Sequence, residues 1–260
     1  MIFRLQAQKF EFRAIESVFF PPGKAGNVFR GALGTLMPRT RAAGLPRGFA
    51  EPPRPFVLRA AHLDGLRIEP GGEFGLEVNV FDLEGGTMRA LAEALGELKR
   101  TGLGPRRAKV ELLPPAKPRD IELDLAPGCA ATKVTVRFVT PTDLKGLPPR
   151  AGTVPFGILF ARARDRVSSL LTLYGEGPLE IDFAGMAERA AGVRTVSCEL
   201  IWRHITRRSS RTGQTHGIGG FTGKAEYEGD LTGFLPYLRA AWWTGIGRHT
   251  AWGNGVIACE

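Results

Sequence analysis

Hydrophobic periodicity most limits what this chain can fold into. It switches between alternation, the period of a half-buried strand, and about 3.6 residues, the period of an amphipathic helix. The switches come in one order, and that order is met twice. In the first half, Phe3, Leu5 and Ala7, then Phe10 and Phe12, mark a strand over 2–12. A short buried helix follows over 23–37, carried by Val28, Leu33, Leu36 and Met37. Strands are expected at 56–60 and 74–81, an amphipathic helix at 87–100 and a further strand at 108–113. The second half reads strand 133–139, helix 156–174, strands 196–205 and 220–229, helix 231–241 and a last strand at 256–259. Strand, helix, strand, strand, helix, strand is the split βαβ or ferredoxin-like pattern. The expectation is an α+β chain of two tandem ferredoxin-like (RRM-like) domains, 1–115 and 132–260. A proline-rich, weakly periodic linker over 116–131 joins them.

Charge narrows the partner. The chain has 260 residues and a formal charge of +9, from 35 Lys and Arg against 26 Asp and Glu. Such a balance favours a polyanion, either nucleic acid or an anionic membrane. Much of the excess is arginine, whose planar fork of donors suits phosphate and stacks on bases. The three cysteines, Cys129, Cys198 and Cys259, are widely spaced and form no Cys-x-x-Cys. Neither a zinc knuckle nor a disulfide framework is indicated, and no metal or other cofactor is expected. The first residues lack the apolar core of a signal peptide, and no run reaches the ~18 apolar residues of a spanning helix. A cytoplasmic protein with no membrane partner is expected.

Three stretches carry candidate contacts. The last stretch holds two Gly-X-Gly pairs, Gly245 with Gly247 and Gly253 with Gly255, which frame Arg248, His249 and Thr250. Two readings stand: a loop whose amides face a phosphate, or a turn of purely structural use. It is not a dinucleotide fingerprint, which needs a strand before it and a helix after. The second stretch lies between the strands 196–205 and 220–229. It packs Arg203, Arg207, Arg208 and Arg211 into nine residues, with His204, Ser210 and His216. That density cannot be core; it reads as a phosphate-contacting arm, against a merely solvated loop. The third is the helix over 23–37, where Lys24, Asn27 and Arg30 share one face. The chain has four histidines. His62 reads as structural or surface, and His204, within a strand, as a packed imidazole. His216 lies in the basic arm and His249 in the glycine loop. Trp242 and Trp243 read as one inward and one surface ring.

Together, several stretches resemble a known family. They are Arg208-Ser209-Ser210-Arg211, Gly219-Gly220-Phe221-Thr222-Gly223, the helix with Leu235-Pro236-Tyr237-Leu238, and the final glycine pairs. They are similar to the C-terminal half of the RAMP-type endoribonucleases that process CRISPR precursor RNA, the Cas6 family. Pro22-Gly23-Lys24 through Gly34, and Gly102-Leu103-Gly104-Pro105-Arg106-Arg107, are similar to that family's N-terminal half. The resemblance implies RNA bound across two ferredoxin-like domains and metal-independent cleavage within the repeat. The ribose 2′-OH would attack the adjacent phosphate, which needs a base, an acid and cations around the phosphate.

Many family members carry a catalytic histidine in or near the first helix, and here 22–37 contains none. Lys24 is then the expected cation, with His216 and His249 as proton-transfer candidates. The expected RNA contacts are Asn27, Arg30, Arg203, Arg207, Arg208, Ser210, Arg211, Gly245, Gly247, Arg248, Gly253 and Gly255. The partners implied are CRISPR repeat RNA or crRNA and other Cas subunits of an interference complex. Two further readings stay open: a subunit that binds crRNA without cutting it, and a backbone subunit that coats guide RNA.

Overall fold

The computed structural model describes residues 1–37, 52–148, 150–208 and 213–260. The chain forms two compact units. The N-terminal unit holds Arg4–Ile121 with Leu173–Gly175, and the C-terminal unit holds Met1–Phe3, Glu122–Thr172 and Glu176–Glu260.

In the N-terminal unit the elements are β1 (Ile2–Ala14), β2 (Val18–Phe19), α1 (Ala25–Leu36), β3 (Phe56–Arg59), β4 (Arg67–Ile68), β5 (Glu73–Val80), α2 (Thr87–Gly96), α3 (Leu98–Thr101) and β6 (Val110–Leu112). The main sheet has the order β3-β5-β1-β6, and β2 pairs with β4 apart from it. This is the ferredoxin-like order, with the first and third long strands side by side at the centre. Strand β1 spans 13 residues. Its apolar residues change face between Ala7 and Phe10, because an odd spacing on a strand points to the opposite side. Phe12 stacks on Phe74 with ring centroids 5.3 Å apart, and Phe20 on Phe29 at 5.8 Å. Burying each such ring contributes roughly 1.5–3 kcal/mol. This cluster sets α1 on the sheet through Ala25, Val28, Phe29 and Leu33.

Two expectations change here. The helix over 87–100 is broken at Glu97 into α2 and α3. Gly96 ends α2, which fits the weak helix propensity of glycine. The stretch 116–131 contains a strand, β7 (Arg119–Asp124), that pairs with β1. Its alternation is faint because the inward residues Ile121 and Leu123 are only half-buried.

The C-terminal unit runs β8 (Lys133–Thr142), α4 (Phe156–Tyr174), α5 (Phe183–Ala191), β9 (Arg194–Arg203), β10 (Thr206–Arg208), β11 (Thr215–Gly217), β12 (Gly220–Glu228), α6 (Leu235–Thr244) and β13 (Ile257–Cys259). Its sheet order, β13-β8-β12-β9, repeats the ferredoxin-like pattern, again antiparallel. Phe156, Phe160 and Phe234 pack together, and Tyr227 from β12 meets Phe156 at 5.2 Å. The buried Tyr227 hydroxyl donates to the Val154 carbonyl at 2.9 Å, which satisfies the one polar atom that ring brings inside. Helix α5 is not among the expected elements. It is capped by the Asp182 carboxylate, which accepts from Gly185 N at 2.8 Å. The final helix starts at Leu235, later than expected, with Pro236 in its first turn.

Candidate nucleic-acid interface

The basic arm is a small hairpin. Strands β10 and β11 pair Thr206 with Gly217, Arg207 with His216 and Arg208 with Thr215. Ile218 N donates to Ile205 O at 2.9 Å and closes its base. Ser210 and Arg211 lie outside the described residues. Arg203 ends β9, where its Nε donates to Thr222 Oγ1 at 3.1 Å. His216 is exposed on the arm.

The arm is fastened to the glycine loop. The Arg207 guanidinium lies 5.1 Å from the Trp252 ring centroid. The His249 ring stacks on Trp252 with centroids 4.6 Å apart and planes 17° from parallel. Asn254 Nδ2 donates to the Ile218 carbonyl at 2.8 Å. Arg207 Nε is buried without a hydrogen-bond partner. Its guanidinium therefore serves first as an anchor on the indole, a cation–π contact. Arg248 is held by Asp143 twice: its amide donates to the Asp143 carbonyl at 2.9 Å and its Nη1 to Oδ2 at 3.1 Å.

The expected anion cradle takes a different form. Gly245 N donates to Ala241 O, Gly253 N to Thr250 O, and Gly255 N to Pro141 O, all at 2.9–3.0 Å. Ile246 N donates to Gly255 O at 2.8 Å. These amides are spent inside the chain, so they do not present a row of donors to a phosphate. The glycines answer a need for close approach instead. A Cβ on Gly247 would stand 2.2 Å from the Asp143 carbonyl oxygen, at φ 77°. The loop is the joint that ties the end of β8, the arm and β13 together.

Burial pushes the His249 imidazole below its usual pKa, and Arg207 and Arg248 push the same way, against Asp143 and a backbone hydrogen bond at Gly217. His249 is therefore neutral at neutral pH and able to accept a proton. Below ~6.5 the unfolded chain takes up that proton more readily than the folded one. Stability accordingly rises with pH through the window under that value and is lost as pH falls. Asparagine tolerates the left-handed backbone that His249 adopts at φ 62°. His249→Asn should flatten the dependence of the denaturation midpoint between about pH 5 and 7. An unchanged slope would assign the titration to another group.

Lys24 belongs to the N-terminal unit. It precedes α1, its carbonyl accepting from Val28 N at 2.9 Å. Asp64, which sequence reasoning misses, sits at the same helix start and accepts from Ala25 N at 2.8 Å. Burial raises the Asp64 pKa, against opposing hydrogen bonds from the amides of residues 23–25. Asn27 and Arg30 follow on α1, both half-buried. His62 Nε2 donates to the Gly75 carbonyl at 3.0 Å, a structural use. Arg150 is a second residue that sequence reasoning misses. Its Nη2 donates to His204 Nε2 at 3.2 Å, and a guanidinium has only donors, so that nitrogen is the unprotonated one. Trp242 is 37% exposed and Trp243 half-buried. Among the described residues no group of three or more His, Cys, Asp or Glu is placed to hold a metal ion. No described helix is long and apolar enough to cross a membrane.

Residues 136–257, the span from β8 into β13, match the family described as CRISPR-associated endoribonuclease Cas6. No curated relative matches the sequence. A solved Cas6 product complex aligns with a TM-score of 0.60 at 18% identity, covering 99% of this chain and 100% of its own. A second Cas6 product complex aligns at 0.52 and 21%, covering 100% of both. Thermus thermophilus Cas6 aligns at 0.56 and 17%, covering 98% of both. At these identities the structural likeness is one of fold.

Proposed function

We propose that this chain, whose residues 136–257 match the Cas6 family, binds CRISPR repeat RNA and cleaves it to give guide RNA. The observation that carries the reading is the basic arm of the C-terminal unit, anchored at Trp252 inside the stretch that matches the family. Phosphate contacts from such an arm supply sequence-independent affinity, and Arg203, Arg208 and Arg211 are assigned to them.

The cleavage proposed needs no metal ion. The 2′-oxygen attacks the adjacent phosphorus, the bond to the 5′-oxygen breaks, and the proton lost at the 2′-OH is matched by one delivered to the leaving oxygen. The products are a 2′,3′-cyclic phosphate and a 5′-hydroxyl. Lys24 is assigned to the developing charge on phosphate, and His216 and His249 are the groups assigned to proton transfer. Neutral His249 suits the base, although its stacking on Trp252 restricts its reach. The solved Cas6 product complexes support an RNA ligand for this fold. Incubation of the chain with repeat RNA in EDTA tests the assignment. Cleavage is expected, and a single 2′-deoxy substitution at the scissile nucleotide should abolish it. Cleavage that survives the deoxy substitution sinks the 2′-OH mechanism.

A second reading is favoured by one feature, the lack of any histidine in α1. On that reading the chain retains a crRNA within an interference complex without cutting it. Tight binding of intact repeat RNA with no product under the same conditions would decide for it.

A further inference from the structure

The N-terminal unit carries a second exposed pair of arginines that the cleavage chemistry does not use. Between α3 and β6 the chain makes a tight turn. Leu103 N donates to Ala108 O at 2.8 Å and Ala108 N returns to Leu103 O at 3.1 Å. Arg107 N donates to Gly104 O at 3.1 Å and folds the tip closed. Arg106 and Arg107 occupy that tip and are exposed.

We propose that this turn, with the edge of α1 beside it, is a phosphate-binding surface for the RNA, and that Arg106 and Arg107 make the contacts. The proposal rests on the RNA reading above.

The backbone gives the first reason. Arg107 has φ 52°, a left-handed conformation that disfavours side chains and that glycine adopts freely. Among the described residues only Arg107, Arg150 and His249 are non-glycine residues at positive φ, and all three are basic. Strain held at an exposed cation points to a use for the cation rather than for the turn. Charge gives the second. Other cations of the same unit are paired: Arg13 with Glu73 at 2.9 Å, Lys99 with Glu111 at 2.7 Å and Arg119 with Glu77 at 3.2 Å. Arg106 and Arg107 make no ion pair among the described residues.

Position gives the third. The turn packs on α1, since a Cβ added at Gly104 would lie 3.5 Å from Val28 Cγ1. On a helix, residues four before and three after share an edge. For Val28 these are Lys24 and Gly31. Gly31 and Gly34 are exposed, and an added Cβ at either would meet nothing within 4 Å. Packing among the described residues does not require them, although helix glycines cost stability. Among the described residues they leave α1 bare beyond its contact with the turn, where a phosphodiester backbone can approach. Arginine forks match phosphate oxygens bidentately, and such contacts position RNA without reading its sequence.

The test uses the full chain and fluorescein-labelled repeat RNA, with affinity measured by polarisation across a potassium chloride series. Arg106→Ala combined with Arg107→Gly should weaken binding and flatten the log–log salt slope by about 0.7 for each phosphate no longer neutralised. Arg107→Gly alone should raise the melting temperature while lowering affinity, a combination that a structural role does not produce. An unchanged salt slope in the double variant, with wild-type RNA binding intact, overturns this proposal and leaves the RNA reading standing. Failure of the wild-type chain to bind repeat RNA overturns both.

Discussion

Gly255→Ala should destabilise the chain by about 2–5 kcal/mol, a large share of the stability of an ordinary domain. A Cβ at that position would stand 1.9 Å from the Ile246 carbonyl oxygen, and the backbone sits at φ 74°. Neither obstacle yields easily. Gly255 O accepts from Ile246 N at 2.8 Å, and Gly255 N donates to Pro141 O at 3.0 Å, so the two strands of the loop are locked at both ends. Moving Ile246 away would also disturb a side chain that is fully buried. The denaturant midpoint measures the loss. A variant as stable as the parent would mean that the loop relaxes at little cost and that close approach is not what its glycines provide.

Trp252→Ala should release the basic arm. The substitution removes the stack with His249 and the seat of the Arg207 guanidinium. An aromatic stack contributes about 0.5–1.5 kcal/mol beyond burial and a desolvated cation–π contact up to about 2 kcal/mol. A loss of roughly 1–3 kcal/mol in stability is expected, with at least a tenfold fall in RNA affinity if most of it is felt by the bound arm. Trp252→Phe keeps a ring in place and should recover most of both. A phenylalanine variant as weak as the alanine one would show that the stack is not what holds the arm. Amide exchange adds a direct reading: the Ile218 amide, bonded to Ile205 O at 2.9 Å, should exchange faster once the arm is loose.

Helix α4 is legible at its observed bounds, 156–174, because its apolar stripe is long and periodic. Strands β8 and β12 follow from alternation with turn residues around them. Strand β7 does not, because half of its short alternation faces solvent and its pairing with β1 gives it order. Helix α5 does not either, being short, although Asp182 before it is a readable cap. In the candidate site, the cluster of arginines in the arm is visible from composition alone. Their separate duties are not. The duty of Arg207 is set by Trp252, a residue of the glycine loop that lies beyond β12 and α6 in the chain.

The sequence by itself determined the fold class, since the change from one hydrophobic period to another is a local property that each segment carries wherever it packs. It also favoured a polyanion as partner, since charge sums without regard to position. Tertiary structure alone decided what the final glycine pairs do. Whether an amide is free for a phosphate depends on the nearest carbonyl, and the carbonyls that take up Gly255 and Arg248 belong to Pro141 and Asp143 at the far end of β8. Residues so distant along the chain meet only when the sheet has formed, so no local pattern announces that those donors are already satisfied.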